Sequence, residues 1–152
     1  MPKVYLASPL GFSVEMKPYL EKITARLVQL GCEVFDPWGL PFREVLREAS
    51  RIETYRERIA CFTRIAKEIG EANENGIVSS DIVLGVLDGV EVDSGTASEI
   101  GFAAGIGRRC FGLRTDWRDS GDFHGVPINL QVLWFIERSG GKLFRSIQEI
   151  VF

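Results

Sequence analysis

The sequence predicts a single α/β domain, a doubly wound parallel sheet of about five strands with helices packed on it. Three observations carry this. Short apolar runs alternate with segments of helical periodicity along the chain. The run Asp81-Ile-Val-Leu-Gly-Val-Leu87 is almost continuously apolar, as in a strand covered on both faces. No repeat, low-complexity tract or linker interrupts residues 1–152, a length that one core can organise.

The elements follow in order. Val4-Tyr5-Leu6-Ala7 reads as the first strand, ended by Ser8-Pro9-Leu10-Gly11. Leu20, Ile23, Leu27 and Leu30 fall at helical spacing, and Gly31 stands where a C′ glycine closes a helix. Cys32–Phe35 is the second strand. Asp36-Pro37-Trp38-Gly39-Leu40-Pro41 stops it, and two prolines so close predict a shaped loop with no helix. A stripe from Ile52 through Tyr55, Ile59, Phe62, Ala66 and Ile69 predicts a long helix. Its next step is Asn73, polar where the pattern asks for an apolar side chain. After the Asp81–Leu87 strand, Asp88-Gly89 turns the chain, and a helix runs from near Ser94 to Gly107. Arg109–Leu113 is a fourth strand, Thr115–Gly125 a polar loop, and Pro127-Ile-Asn-Leu130 opens another helical segment. Leu143-Phe144 adds a short edge strand, with Ser146 placed to cap a terminal helix.

Composition narrows the function. A hydrophobic content of 45% beside 26% charged residues describes an ordered globular chain. Lys and Arg number 18 against 21 Asp and Glu, a net charge of -3, which leaves no cationic surplus for a nucleic-acid polymer. No apolar run approaches the ~20 residues of a membrane span, and Met1-Pro-Lys-Val-Tyr5 lacks a signal-peptide core. Cys32, Cys61 and Cys110 are odd in number, with no C-x-x-C pair. They read as three buried thiols in a reducing compartment, so the expected setting is cytoplasmic.

In open α/β sheets ligands bind beyond the carboxyl ends of the strands. The informative segment there is Asp88-Gly-Val-Glu-Val-Asp93-Ser-Gly95-Thr96-Ala-Ser-Glu99, which sets the carboxylates of Asp93 and Glu99 around a helix start. Gly95 would let backbone come close to a ligand. The same residues also fit a purely structural reading: Asp93 or Ser94 as the N-cap, and Thr96-Ala-Ser-Glu99 as a capping box. The small residues of Gly101–Gly107 suit close packing on the sheet better than a dinucleotide site. His124 is the sole histidine, beside Asp122 in a loop, and no H-E-x-x-H or Cys/His cluster is present, so no metal site is expected. P-loop and G-x-S-x-G motifs are missing. Trp38 and Phe42, near the sheet edge, either stack a flat ligand or cover the core.

Four blocks appear together and in order: Lys3-Val-Tyr5-Leu-Ala-Ser8-Pro9; Asn73 ahead of Ser80-Asp81-Ile-Val; Asp93-Ser-Gly95-Thr-Ala-Ser-Glu99-Ile-Gly-Phe-Ala; and Gly125-Val-Pro-Ile-Asn129-Leu. In combination they resemble the nucleoside 2-deoxyribosyltransferase family, over most of the chain. The resemblance implies a flavodoxin-like sheet and exchange of the base of a 2′-deoxynucleoside through a deoxyribosyl-glutamate intermediate. It implies Glu99 as nucleophile, Tyr5 as the group orienting it, and Asp93 as the ligand of the deoxyribose hydroxyls. Ser8, Gly95, Asn73, Trp38 and Phe42 are the further substrate-binding candidates. Asn129 is implied to reach the sugar 5′-hydroxyl of a neighbouring subunit's site, hence a homo-oligomer. Some members carry aspartate at the position of Asn73 and use it on the base; an asparagine cannot supply a proton. The implied partners are 2′-deoxynucleosides and free purine or pyrimidine bases, with no metal or organic cofactor. Two alternatives stand beside this: an N-glycosidase acting on 2′-deoxynucleoside 5′-monophosphates, and a non-catalytic nucleoside- or nucleotide-binding module.

Overall fold

Successive side chains of a strand point to opposite faces of a sheet, and Lys3–Ala7 (β1) shows this as two cores. Val4 and Leu6 pack with Leu20, Ile23 and Leu27, whereas Tyr5 and Ala7 pack with Ile77, Ile100 and Ala103. Ile82–Val86 (β3) is buried at every residue, as a strand covered on both faces must be. Glu33–Phe35 (β2), Arg109–Leu113 (β4) and Leu143–Phe144 (β5) complete a five-stranded sheet in the order β2-β1-β3-β4-β5. Every neighbouring pair is parallel. The computed structural model describes all residues, Met1–Phe152.

Helix α1 (Lys17–Gln29) covers the first face together with the C-terminal residues around Ile150. Helices α3 (Tyr55–Val78), α4 (Ser94–Gly105) and α5 (Leu130–Arg138) supply the buried side chains of the second. Right-handed crossovers demand this division, because the chain reverses its direction across the sheet between β1 and β3. The arrangement is a flavodoxin-like α/β fold, and the reversal opens a crevice at the carboxyl ends of β1 and β3. No helix is long and apolar enough to cross a membrane.

Several expectations need correction. Helix α2 (Phe42–Ser50) was not anticipated, although Phe42, Val45, Leu46 and Ala49 stand at helical spacing; it buries only Ala49. The segment expected to exclude helix contains a 3₁₀ turn, Pro37–Gly39, which accepts proline at its first position and is capped by Asp36 Oδ1 from the Trp38 amide at 3.0 Å. The long helix begins at Tyr55, not Ile52. Tyr55 and Ile59 of its stripe are exposed, and the buried residues are Ile65, Gly76 and Ile77. After β5 there is a single 3₁₀ turn, Ile147–Glu149, in place of a helix, and Ser146 Oγ donates to Glu149 Oε1 instead of capping backbone. All three cysteines are free, but Cys61 is only half-buried. By contrast Gly31, at φ 77°, closes α1 as its sequence position requires.

Candidate active site

Glu99 stands in the second turn of α4, facing the end of β1. Its local sequence suggests a capping box, in which Glu99 would reach back to the Thr96 amide. That box does not form. Asp93 is the N-cap: its Oδ2 accepts from the Thr96 amide at 2.9 Å and from Thr96 Oγ1 at 3.1 Å. Gly95 has room for this and little else, since a Cβ there would lie 3.1 Å from Asp93 Oδ2. With the helix start already capped, Glu99 turns to tertiary partners. Tyr5 Oη donates to Glu99 Oε1 at 2.6 Å, and Asn73 Nδ2, from α3, donates to the same oxygen at 3.3 Å. Glu99 Oε2 accepts no hydrogen bond from the chain and is not among the buried unpaired atoms, so it faces solvent.

The electrostatics of the cluster are set first by burial. Burial pushes the Glu99 carboxyl up; the Tyr5 hydrogen bond pulls it back down, and the Asp93 charge pushes it up again. The helix N-terminus adds little here, because its field fades within the first turn. Tyr5 is fully buried, and burial and the Glu99 charge together hold its hydroxyl far above the ordinary phenol range, so it stays a donor. Asp36, at the end of β2, adds to this charge on Tyr5 and is itself raised by burial.

Aromatic packing fixes Tyr5 in place. Its ring stacks on Phe35 of β2, with centroids 5.5 Å apart and planes 14° from parallel. Phe35 in turn lies against Gly76 of α3, where a Cβ would fall 2.5 Å from the ring. Neither Phe35 nor Asp36 was a candidate from the sequence. The available signal was positional: both end the strand beside β1, at the edge where ligands bind.

The remaining candidates form no hydrogen bond with the cluster of Tyr5, Asn73, Asp93 and Glu99. Ser8 is buried and its Oγ accepts from the Leu10 amide at 2.9 Å, turning the chain off β1. Trp38 Nε1 donates to Ser8 O at 2.7 Å, and its indole covers Gly11, where a Cβ would fall within 1.9 Å of the ring. Trp38, Asp36, Arg43 and Lys17 line a groove of about 610 Å³ against α1, which Tyr5, Asn73, Asp93 and Glu99 do not line. Phe42 is half-buried at the start of α2. Asn129 is exposed and caps α5, its Oδ1 accepting from the Gln131 and Val132 amides at 3.0 and 3.3 Å. Asp122 is not paired with His124; its Oδ2 takes the Leu130 amide at 2.7 Å.

One buried cation ties together the loops that follow β3 and β4. Arg114, at the end of β4, has no exposed surface. Its Nη1 donates to Leu87 O and Gly89 O, and its Nη2 to Arg118 O and Ser120 Oγ. No three His, Cys, Asp or Glu side chains come together to hold a metal ion.

The sequence model for nucleoside 2-deoxyribosyltransferases matches residues 4–131, which span β1 through the start of α5. The chain belongs to the nucleoside 2-deoxyribosyltransferase family. The match takes in Tyr5, Asn73, Asp93, Glu99 and Asn129. No protein of curated function matches the sequence. Among solved structures, a conserved protein from Enterococcus faecalis V583 is similar, at 25% identity and a TM-score of 0.69, covering 98% of this chain and 94% of that one. A 2-deoxyribosyltransferase from Bacillus psychrosaccharolyticus is 24% identical, with a TM-score of 0.60, over 97% of this chain and 88% of its own. A CMP N-glycosidase from Clostridium botulinum is 16% identical, with a TM-score of 0.54, over 97% and 92%. These last two likenesses establish the common fold.

Proposed function

We propose that this member of the family exchanges the nucleobase of 2′-deoxynucleosides through a covalent deoxyribosyl-Glu99 intermediate. The observation that carries the reading is the geometry of Glu99: a carboxylate beside the β1/β3 reversal, held at Oε1 by a 2.6 Å bond from Tyr5 and open at Oε2. In the first step Oε2 bonds to C1′ as the C1′–N bond breaks, and the electron pair leaves with the base. The base takes a proton from solvent, since the Asn73 amide can donate a hydrogen bond but cannot act as an acid. In the second step a ring nitrogen of another base attacks C1′, the C1′–O bond breaks, and the proton of that nitrogen passes to solvent. Two displacements at one carbon give retention, the logic of retaining glycosidases with a base in the place of water.

Asp93 supports the sugar-binding part of this scheme. Its Oδ2 is used by the helix cap, while Oδ1 accepts nothing from the chain and remains available for a sugar hydroxyl. A 2′-hydroxyl near Glu99 would have to be desolvated without a partner, at a cost of roughly 1–3 kcal/mol, so ribosides should react about 5- to 150-fold more slowly. Asn129 is proposed to reach the site of a second copy, since its Nδ2 makes no bond within the chain while its Oδ1 holds α5.

The decisive experiment incubates the protein with a deoxynucleoside, with and without excess adenine, and separates the products by chromatography. Exchange predicts a new deoxyadenosine peak that grows with adenine, and an added deoxyribosyl group on intact mass. Base release indifferent to adenine would make the protein a hydrolase. Binding with no base released would make it a binding module.

A further inference from the structure

Asn73 stands within α3 at the step where the apolar stripe calls for a hydrophobic side chain. An amide in such a place is costly unless its donors and acceptor find partners. Its side chain makes one hydrogen bond, from Nδ2 to Glu99 Oε1, and its Oδ1 is buried with no partner at all. Rotating the amide would set a carbonyl oxygen against the carboxylate, so Glu99 itself dictates which end points inward. Tyr5 approaches the same Oε1 from β1. Two donors from two different elements thus converge on one oxygen of a carboxylate whose other oxygen is free.

We propose that Asn73 is a positioning residue: with Tyr5 it pins Glu99 Oε1 and so selects Oε2 as the oxygen that bonds to C1′. The assignment rests on the covalent-glutamate reading above and deepens it. It gives the asparagine a task that an ionised aspartate would fail, because a neutral amide donates to the carboxylate without adding a second negative charge. The titratable groups bearing on Glu99 are few. Tyr5 reaches it from β1 and Asp93 from the start of its own helix, with Asp36 acting on Tyr5 from the end of β2; α5, β3 and β4 bring none to bear. Asn73 is therefore the contribution of α3.

The test compares wild type with Asn73→Leu, which keeps the bulk and removes the donor, and with Asn73→Ala should the leucine variant fail to fold by circular dichroism. Positioning predicts that kcat falls about tenfold or more and KM for the deoxynucleoside stays within about twofold. It also predicts that the acid limb of kcat moves to higher pH, because an ionised Glu99 loses a donor. A raised KM with kcat and the acid limb unchanged would overturn the proposal and place Asn73 on the substrate. A second readout needs no turnover: the carboxyl carbon of Glu99, assigned by its loss in Glu99→Gln, is titrated by carbon NMR in the resting protein. An upward shift in the variant upholds the Asn73–Glu99 link even if wild type releases no base, in which case only the catalytic reading falls. An unchanged titration refutes the link whatever the enzyme does.

Discussion

Replacing Tyr5 with phenylalanine isolates one hydrogen bond. The ring would keep its stack on Phe35, so packing is preserved and only the hydroxyl is lost. The bond removed is a 2.6 Å O–H···O contact to a carboxylate, in the range of charge-assisted hydrogen bonds. Such bonds contribute roughly 1.5–3 kcal/mol. The ionised form of Glu99 would lose that support, so its carboxyl would be pushed further up. The sign follows from the site: Tyr5 lowers the Glu99 pKa, and its loss lets burial push that pKa higher still. Glu99 must be ionised to attack, so the acid limb of kcat/KM moves to higher pH. At a pH on the wild-type acid limb the variant should be roughly 10- to 100-fold slower, and well above it the difference should narrow. The assay is initial-rate base release measured across the acid and neutral range, with buffers of constant ionic strength. An acid limb that stays where it was would refute the claim that Tyr5 governs the charge on Glu99.

Three further outcomes are expected. Glu99→Gln should release no base and form no mass adduct, yet melt higher than wild type at neutral pH. The folded state raises the Glu99 pKa, so stability is lost as pH rises from the unfolded value through the folded one, and the difference between the two proteins should close in acid. Gly76→Ala would drive a Cβ to 2.5 Å from the Phe35 ring and displace it from Tyr5; a loss of about 1–3 kcal/mol in urea denaturation and a fall in kcat should accompany each other. Asn129→Ala removes the acceptor of two amides at the start of α5, which should cost about 1 kcal/mol by thermal melting. Mixing it with Glu99→Ala subunits under exchange conditions should restore activity, and no recovery despite proven exchange would place Asn129 in its own subunit's site or outside any site.

What the sequence disclosed depended on how local the cause was. β3 is legible because burial on both faces leaves a continuous apolar run, and Gly31 because only a left-handed residue closes α1 at that point. Asn73 was visible as a break in a stripe, but its partner was not, since Glu99 lies 26 residues away. The local signal at Thr96–Glu99 even pointed the wrong way. A capping box is a bargain struck within four residues, and here it is overruled by Asp93 before the box and by Tyr5 94 residues distant. α2 carried the right spacing but buries so little that its pattern resembled a continuation of the exposed loop that ends at Pro41. The exposed Tyr55 and Ile59 show the converse error: helical periodicity identified the helix, but the first turns of its stripe stay open while Phe62, Ile69 and Asn73 further along are half-buried.

The guanidinium of Arg114 has a consequence for motion. It clasps the exit of β3 at Leu87 and Gly89 and the far side of the loop at Arg118 and Ser120, with no carboxylate among its partners. Neither segment can swing away alone without stranding a buried positive charge. The two loops beyond β3 and β4 are therefore coupled into a single unit, and their amides should exchange with deuterium at a common rate, slower than that of a free loop. That unit breathes as one piece or not at all.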